Sequence, residues 1–260
     1  MKYLFGEFPP NYERYQFPYQ VWLKTEEGDS ISDIYARGFL PLRNRAGVFY
    51  LCRSLRVDLD KFSPSSENRR ICKKTDNYSY QIMPLCSRSQ GKEGCLPVDD
   101  QLYDFCRYYL KERFGKEIIS DIGLRSVFGG EIFNQAYVWF DGEKLIGYAV
   151  CYQNEHLLHY AHVFYHPDYA KSNLGARMML QAVMDTQGQH KKYVYLGSIY
   201  NESAHYKLEF SGVEFFSGSS WSSNEKELKY LLQRKDDDYL FRDTDYLSEY
   251  GPLGKLISSK

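Results

Sequence analysis

One stretch constrains the fold more than any other: Tyr165-His166-Pro167-Asp168-Tyr169-Ala170-Lys171-Ser172-Asn173-Leu174-Gly175-Ala176. Apolar, strand-like residues precede it and an apolar pattern of helical period comes after it. The chain must therefore turn from strand to helix within a few residues. The first N–H groups of a helix lack intrahelical acceptors and carry partial positive charge, which suits a phosphate or a developing oxyanion. A second stretch, Tyr193 to Lys207, repeats the strand-to-helix turn around Leu196-Gly197-Ser198 and Asn201.

Around these two junctions the pattern predicts a run of alternating elements. Strands are expected over 136–140, 145–152 and 156–165, the first two joined by Asp141-Gly142, a strong hairpin signal. Next come a helix over 172–187, a strand over 192–197, a short helix over 202–210 and a strand over 213–217. Strands interrupted by helices imply an α/β (α+β) mixed sheet with helices packed on it. Upstream, Leu102, Phe105, Cys106, Tyr109 and Leu110 recur at helical spacing behind a capping Asp99 or Asp100.

Nearer the start, a short helix over Ser30–Arg37 should end at Gly38, and Phe49–Asp60 reads as one strand. Ser63-Pro64-Ser65-Ser66 breaks that strand and opens a helix. Residues 1–30 read as extended structure, 117–130 are ambiguous, Ser87–Gly94 reads as a mobile loop, 227–234 as a helix and the last twenty residues as a loose tail. The expected organisation is residues 1–95 as an N-terminal subdomain, 96–235 as the domain that holds both junctions and 236–260 as a tail.

Composition narrows the class. With 260 residues, 43% of them apolar, the chain can bury a substantial core. A formal charge of −1 means that a nucleic-acid partner must be held by a local patch. Such a patch runs from Arg37 to Lys74 and includes Arg53, Arg56, Arg69, Arg70, Lys73 and Lys74. No run of about 18 apolar residues marks a membrane helix, and the N-terminus lacks a signal-peptide pattern, so a cytoplasmic protein with no membrane partner is expected. The six cysteines (Cys52, Cys72, Cys86, Cys95, Cys106 and Cys151) include no Cys-x-x-Cys pair and are expected as reduced, partly buried thiols with no metal.

The order of hairpin, strand, glycine loop, helix, strand, helix and strand resembles the GNAT acyltransferase fold. Lys171-Ser-Asn-Leu-Gly175-Ala176 resembles that fold's donor loop with one glycine fewer. Asn201, Ala204, Tyr206 and Gly212-Val-Glu-Phe215 are spaced like its second motif. Over roughly residues 30–216 the chain also resembles the aminoacyl-tRNA–protein transferases, the arginyltransferases and their bacterial leucyl-transferring relatives. The residues that carry this second likeness are Arg37-Gly38-Phe39, Cys52, Leu55-Arg56-Val57, Phe62-Ser-Pro64-Ser65, Asn68-Arg69-Arg70, Tyr165, Pro167-Asp168-Tyr169, Leu174-Gly175, Tyr195-Leu196-Gly197, Tyr200 and Tyr206-Lys207. The chain departs from the pattern in its missing upstream cysteines, in His166 and Ser198, and in Gln181-Ala182, where arginyltransferases carry Arg-Glu.

The resemblance implies transfer of an amino acid, in the arginyltransferase manner, from charged tRNA to the N-terminal α-amine of an acceptor protein or peptide beginning with an acidic residue. Aminoacyl-tRNA is then a co-substrate and no cofactor is needed. Tyr206, with Tyr200 and Lys207, is the expected catalytic set. Arg56, Tyr165, Asp168, Leu174, Gly175, Gly197, Ser198 and Asn201 are expected to bind substrate, Arg56 by gripping the acceptor's carboxylate. Arg53, Arg69, Arg70, Lys73 and Lys74 are expected to hold tRNA phosphates. For Tyr206 and Lys207 the plain alternatives are a packed tyrosine and a solvated lysine. The competing functions are an acetyl-CoA-dependent N-acyltransferase and a catalytically silent tRNA-binding adaptor.

Overall fold

A computed structural model describes residues 1–86, 93–116, 118–234 and 240–250. In chain order its strands are β1 (Lys2–Glu7), β2 (Tyr19–Lys24), β3 (Phe39–Pro41), β4 (Val48–Leu51), β5 (Ser54–Asp58), β6 (Tyr78–Pro84), β7 (Gln135–Asp141), β8 (Lys144–Gln153), β9 (Leu157–Tyr165), β10 (Tyr193–Ser198), β11 (Val213–Phe216) and β12 (Trp221–Ser222). Its α-helices are α1 (Ile31–Ala36), α2 (Ser66–Lys74), α3 (Asp100–Phe114), α4 (Asp121–Val127), α5 (Leu174–Gly188), α6 (Glu225–Gln233) and α7 (Thr244–Glu249). Two 3-10 segments, Pro167–Ser172 and Glu202–Glu209, stand at the two junctions read from the sequence.

The helices start where their caps predict. Ser30 accepts from the Asp33 N–H, Asp99 from Leu102, and Ser65 forms a reciprocal capping box with Asn68. The 117–130 region resolves into α4, capped by Ser120. Helix α3 buries Leu102, Tyr103, Cys106, Tyr109 and Leu110 and ends at Gly115 in a left-handed conformation.

The strands form two sheets. Four antiparallel strands in the order β1-β2-β4-β3 make the smaller one. The larger has the order β12-β11-β5-β10-β9-β8-β7-β6, mixed because β9 and β10 run parallel. One face of it packs against α5, α2 and α6, around Trp139, Met178, Val183 and Val194. The other face is covered by α3 and α4 at one end, around Phe128 and Phe164, and by the small sheet with α1 at the other, around Tyr35 and Tyr195. Helices therefore flank a mixed sheet, as the sequence pattern implies.

Three expectations need correction. The single strand predicted over 49–60 is two strands, because the chain breaks at Cys52-Arg53; β4 stays in the small sheet and β5 crosses into the large one. All five residues of β5 are buried between β11 and β10. Burying Leu55 and Val57, both 0% exposed, contributes about 2 kcal/mol each. Strand β6 joins the same sheet beside β7, so residues 1–95 supply two strands, β5 and β6, to the large sheet.

Second, Cys86 and Cys95 are joined as a disulfide, whereas Cys52, Cys72, Cys106 and Cys151 are free thiols. Most of the loop between the bonded pair, residues 87–92, lies outside the described residues. Third, residues 240–250 are not a loose tail: Tyr246 of α7 is buried and donates to Glu227 of α6 at 2.9 Å. Residues 251–260 lie outside the described residues.

Candidate active site

Strands β9 and β10 pair only at their first residues, Leu157 with Tyr193, Leu158 with Val194 and His159 with Tyr195. Beyond Tyr195, β10 shifts register against β5 and passes through Gly197, whose φ of +82° favours glycine. The two parallel strands part there, and the parting opens a cleft of about 820 Å³. Its walls are the end of α3 (Tyr109, Arg113, Phe114), Ile118 and Ile119, β9 from Ala161 to Tyr165, and the start of α5 (Gly175, Ala176, Met179). Ser203, Ala204, Tyr206 and Lys207, with Arg43 from the turn after β3, stand beside them.

Helix α5 enters this cleft with its end open. Its N-cap, Asn173, is left-handed (φ 65°) and makes no side-chain cap, and the first turn holds no acidic residue. The leading N–H groups are thus left to an incoming anion or carbonyl oxygen. Gly175 is closely approached: a Cβ there would lie 3.0 Å from Tyr165 Cε1, so the ring would have to shift by a few tenths of an ångström. The Tyr165 ring in turn packs on Tyr109, with centroids 4.9 Å apart.

Across the cleft stand Tyr206 and Lys207. Tyr206 is half exposed, and burial of its hydroxyl raises its pKa, so it stays a proton donor at neutral pH. Lys207 Nζ donates to the Ser198 carbonyl at 3.2 Å, and burial lowers its pKa to about 8. That ammonium also lies close to Gly197, where a Cβ would be 3.6 Å from it. The bulge in β10 therefore positions the lysine.

The cleft gathers Tyr165, Gly175, Tyr206 and Lys207 from the residues named by the sequence, with Leu174 buried beneath and Gly197 and Ser198 touching the lysine. It does not gather the others. The Tyr200 hydroxyl accepts from the Arg53 backbone N–H at 2.8 Å, and the Arg53 guanidinium lies 5.1 Å over its ring. Asn201 accepts from the Ser203 hydroxyl, and Asp168 is exposed, 3.5 Å from His166 Nδ1.

Arg56 is fully engaged. Its guanidinium donates twice to Glu214 Oε2, at 2.9 and 2.7 Å, and is sandwiched between Tyr193 at 3.8 Å and Trp221 at 3.9 Å. It ties β5 to β11 and does not line the cleft.

Among the basic residues of α2, Arg69 donates to the Pro64 carbonyl and Arg70 pairs with Glu67 at 2.6 Å, while Lys73 is exposed. Lys74 donates to the Lys171 carbonyl at 3.3 Å, which brings the end of α2 beside the turn that leads into α5.

Four titratable residues of the cleft escaped assignment to the site. Tyr109 and Arg113 are four apart on α3 and share one face, the spacing that could have revealed them. His162 sits among the apolar residues of β9, and Arg43 was one charge in a basic stretch. Burial, with Arg43 nearby, lowers the His162 pKa to about 4, so the ring is uncharged at neutral pH. Among the described residues no three His, Cys, Asp or Glu side chains converge to hold a metal. Burial pushes the Cys52 thiol up to about 11, which makes it a poor nucleophile.

Comparison with known proteins finds similar chains. Residues 100–217 match the model of the arginine-tRNA-protein transferase C terminus. The chain is 27% identical over 183 residues to the aspartate/glutamate leucyltransferase of Xanthomonas oryzae pv. oryzae, spanning 65% of this chain and 68% of that one. To the same-named protein of Ruegeria pomeroyi it is 25% identical over 181 residues, spanning 66% and 62%. Among solved structures, the GCN5-related glucosamine N-acetyltransferase region of a fungal β-N-acetylglucosaminidase superposes with a TM-score of 0.40 at 11% identity, over 63% of this chain and 19% of that one. The matched segment spans α3, both strand-to-helix junctions and β11, and over it the chain is similar to the aminoacyl-tRNA–protein transferases.

Proposed function

We propose that this enzyme transfers an aminoacyl group from tRNA to the N-terminal α-amine of an acceptor protein or peptide, in the cytoplasm and without a cofactor. The observation that carries the reading is the single cleft shared by the open end of α5, Tyr206 and Lys207. An aminoacyl ester is already activated, so alignment of the amine and stabilisation of the oxyanion supply most of the rate. In this reading the first N–H groups of α5 and the Lys207 ammonium face the carbonyl oxygen. Tyr206 donates its proton to the departing ribose oxygen. The exposed cations of α2, beside the entrance to α5, suit the phosphates of the acceptor stem.

The donor we favour is uncharged and apolar, of the leucyl kind, in preference to arginine. No Asp or Glu lines the cleft among the described residues, whereas Phe114, Ile118, Ile119 and Met179 do. A buried guanidinium without a carboxylate is costly. The guanidinium groups of Arg43 and Arg113 suit an acceptor beginning with Asp, Glu or oxidised Cys.

Purified protein incubated with labelled aminoacyl-tRNAs and peptides beginning with those residues tests this. Transfer from an apolar aminoacyl-tRNA is expected, and Tyr206→Phe should slow it about a hundredfold while leaving the melting temperature unchanged. Absence of transfer from every charged tRNA would refute the assignment.

A further inference from the structure

Among the described residues, the charged groups that line the cleft are all of one sign. Arg43 reaches in from the turn after β3, Arg113 from the last turn of α3 and Lys207 from the 3-10 segment. Among the described residues the other titratable groups on its walls are the phenols Tyr109, Tyr165 and Tyr206 and the imidazole of His162, while α5 and its N-cap contribute Asn173, Gly175, Ala176 and Met179. An α-ammonium entering this cleft meets repulsion from each charge and, among the described residues, no carboxylate to steady it, so its neutral form is favoured.

His162 is the basic nitrogen positioned to receive that amine. It lies on β9, where the strand has lost β10 as a neighbour, and its ring is held edge-on against Phe133 with centroids 5.2 Å apart. Its neighbour His159 has committed Nδ1 to the Tyr35 hydroxyl at 2.9 Å. The ring nitrogens of His162 make no such bond among the described residues, and the ring lines the cleft.

We propose that the cleft activates its acceptor by charge: Arg43, Arg113 and Lys207 expel the ammonium proton, and the ring nitrogen of His162 accepts an N–H of the resulting amine and aims its lone pair at the ester carbonyl. This rests on the aminoacyl-transfer reading above. The ammonium gives its proton to solvent on entry. The nitrogen lone pair then forms the C–N bond while the carbonyl pair moves onto oxygen. That pair returns as the C–O bond to the ribose breaks. The nitrogen's surplus proton, hydrogen-bonded to the neutral His162 ring, leaves to solvent as the C–O bond breaks, and the ribose oxygen takes one from Tyr206, which regains it from solvent. An ester and an ammonium become an amide, a free ribose hydroxyl and one released proton.

The test is the pH dependence of kcat at saturating charged tRNA, using two Asp-initiated peptides whose amine pKa values, measured free in solution, differ. Each profile should rise with an apparent pKa about one unit below that of its own free amine. Arg113→Gln, on an exposed helix end, should move that value up by about half a unit. His162→Gln should lower kcat about tenfold with KM for tRNA unchanged, and added imidazole should restore part of the loss. One apparent pKa shared by both peptides would mean that an enzyme group such as Lys207 titrates, and would overturn the proposal. So would an unmoved profile in Arg113→Gln, or full kcat in a folded His162→Gln. Wild-type protein that transfers nothing would instead remove the transferase reading itself.

Discussion

At the scale of single residues, the tightest constraint on the site is steric. Gly175 faces the Tyr165 ring, where a methyl group would sit 3.0 Å from a ring carbon. Gly175→Ala should leave the melting temperature within about 2 °C while lowering kcat/KM about tenfold, because the displaced ring narrows the cleft at the helix entrance. A thermal melt and a transfer assay on the same preparation check both halves.

Such a contact is legible in sequence as a glycine at a strand-to-helix junction, and so were Tyr206 and Lys207 on the second junction. Arg113 and His162 were not. On a helical wheel Arg113 is one more cation on a polar face, and in a strand His162 is one more inward ring. Only the parting of β9 from β10 turns both into cleft walls.

Among the elements, β5 shows what local pattern cannot reveal. Its alternation marked a strand, but its partners, Tyr193 to Ser198 and Val213 to Phe215, lie more than a hundred residues away along the chain. Arg56 looked like a ligand for an acidic substrate for the same reason: the carboxylate that occupies it, Glu214, comes from a remote strand. This pair is nearly dry, with side chains 9% and 12% exposed. Glu214→Ala leaves the Arg56 guanidinium caught between two aromatic rings with no counter-charge, and should cost about 3–5 kcal/mol of stability. Replacing both partners with apolar residues of similar volume should cost much less. Urea titrations of the single and double variants would expose the difference. Equal losses would place the stabilisation in the rings and not in the charges.

For the whole molecule, the two sheets are joined through a group that dislikes protons. His159 of β9 is buried against Tyr35 of α1, and burial lowers its pKa from 6.5 to about 3. An unfolded chain takes up that proton below pH 6.5 and the folded one does not until about pH 3, so stability falls as pH falls through this window. The loss from His159 is on the order of 4–5 kcal/mol by pH 3. Chemical denaturation at pH 7, 5 and 4 should show a declining midpoint. His159→Gln, uncharged throughout, should flatten that decline even if it starts lower.

The interleaving of β5 has a further consequence for anyone who dissects this chain. Cutting it at residue 95, shortly before the matched segment begins, would excise β5 from the middle of the large sheet and β6 from its edge, and leave the facing edges of β10 and β11 bare. Residues 96–260 expressed alone should be insoluble or sticky. Supplying residues 1–95 as a separate polypeptide should restore a soluble, active pair, in the way that a severed zip closes only when both rows of teeth are present.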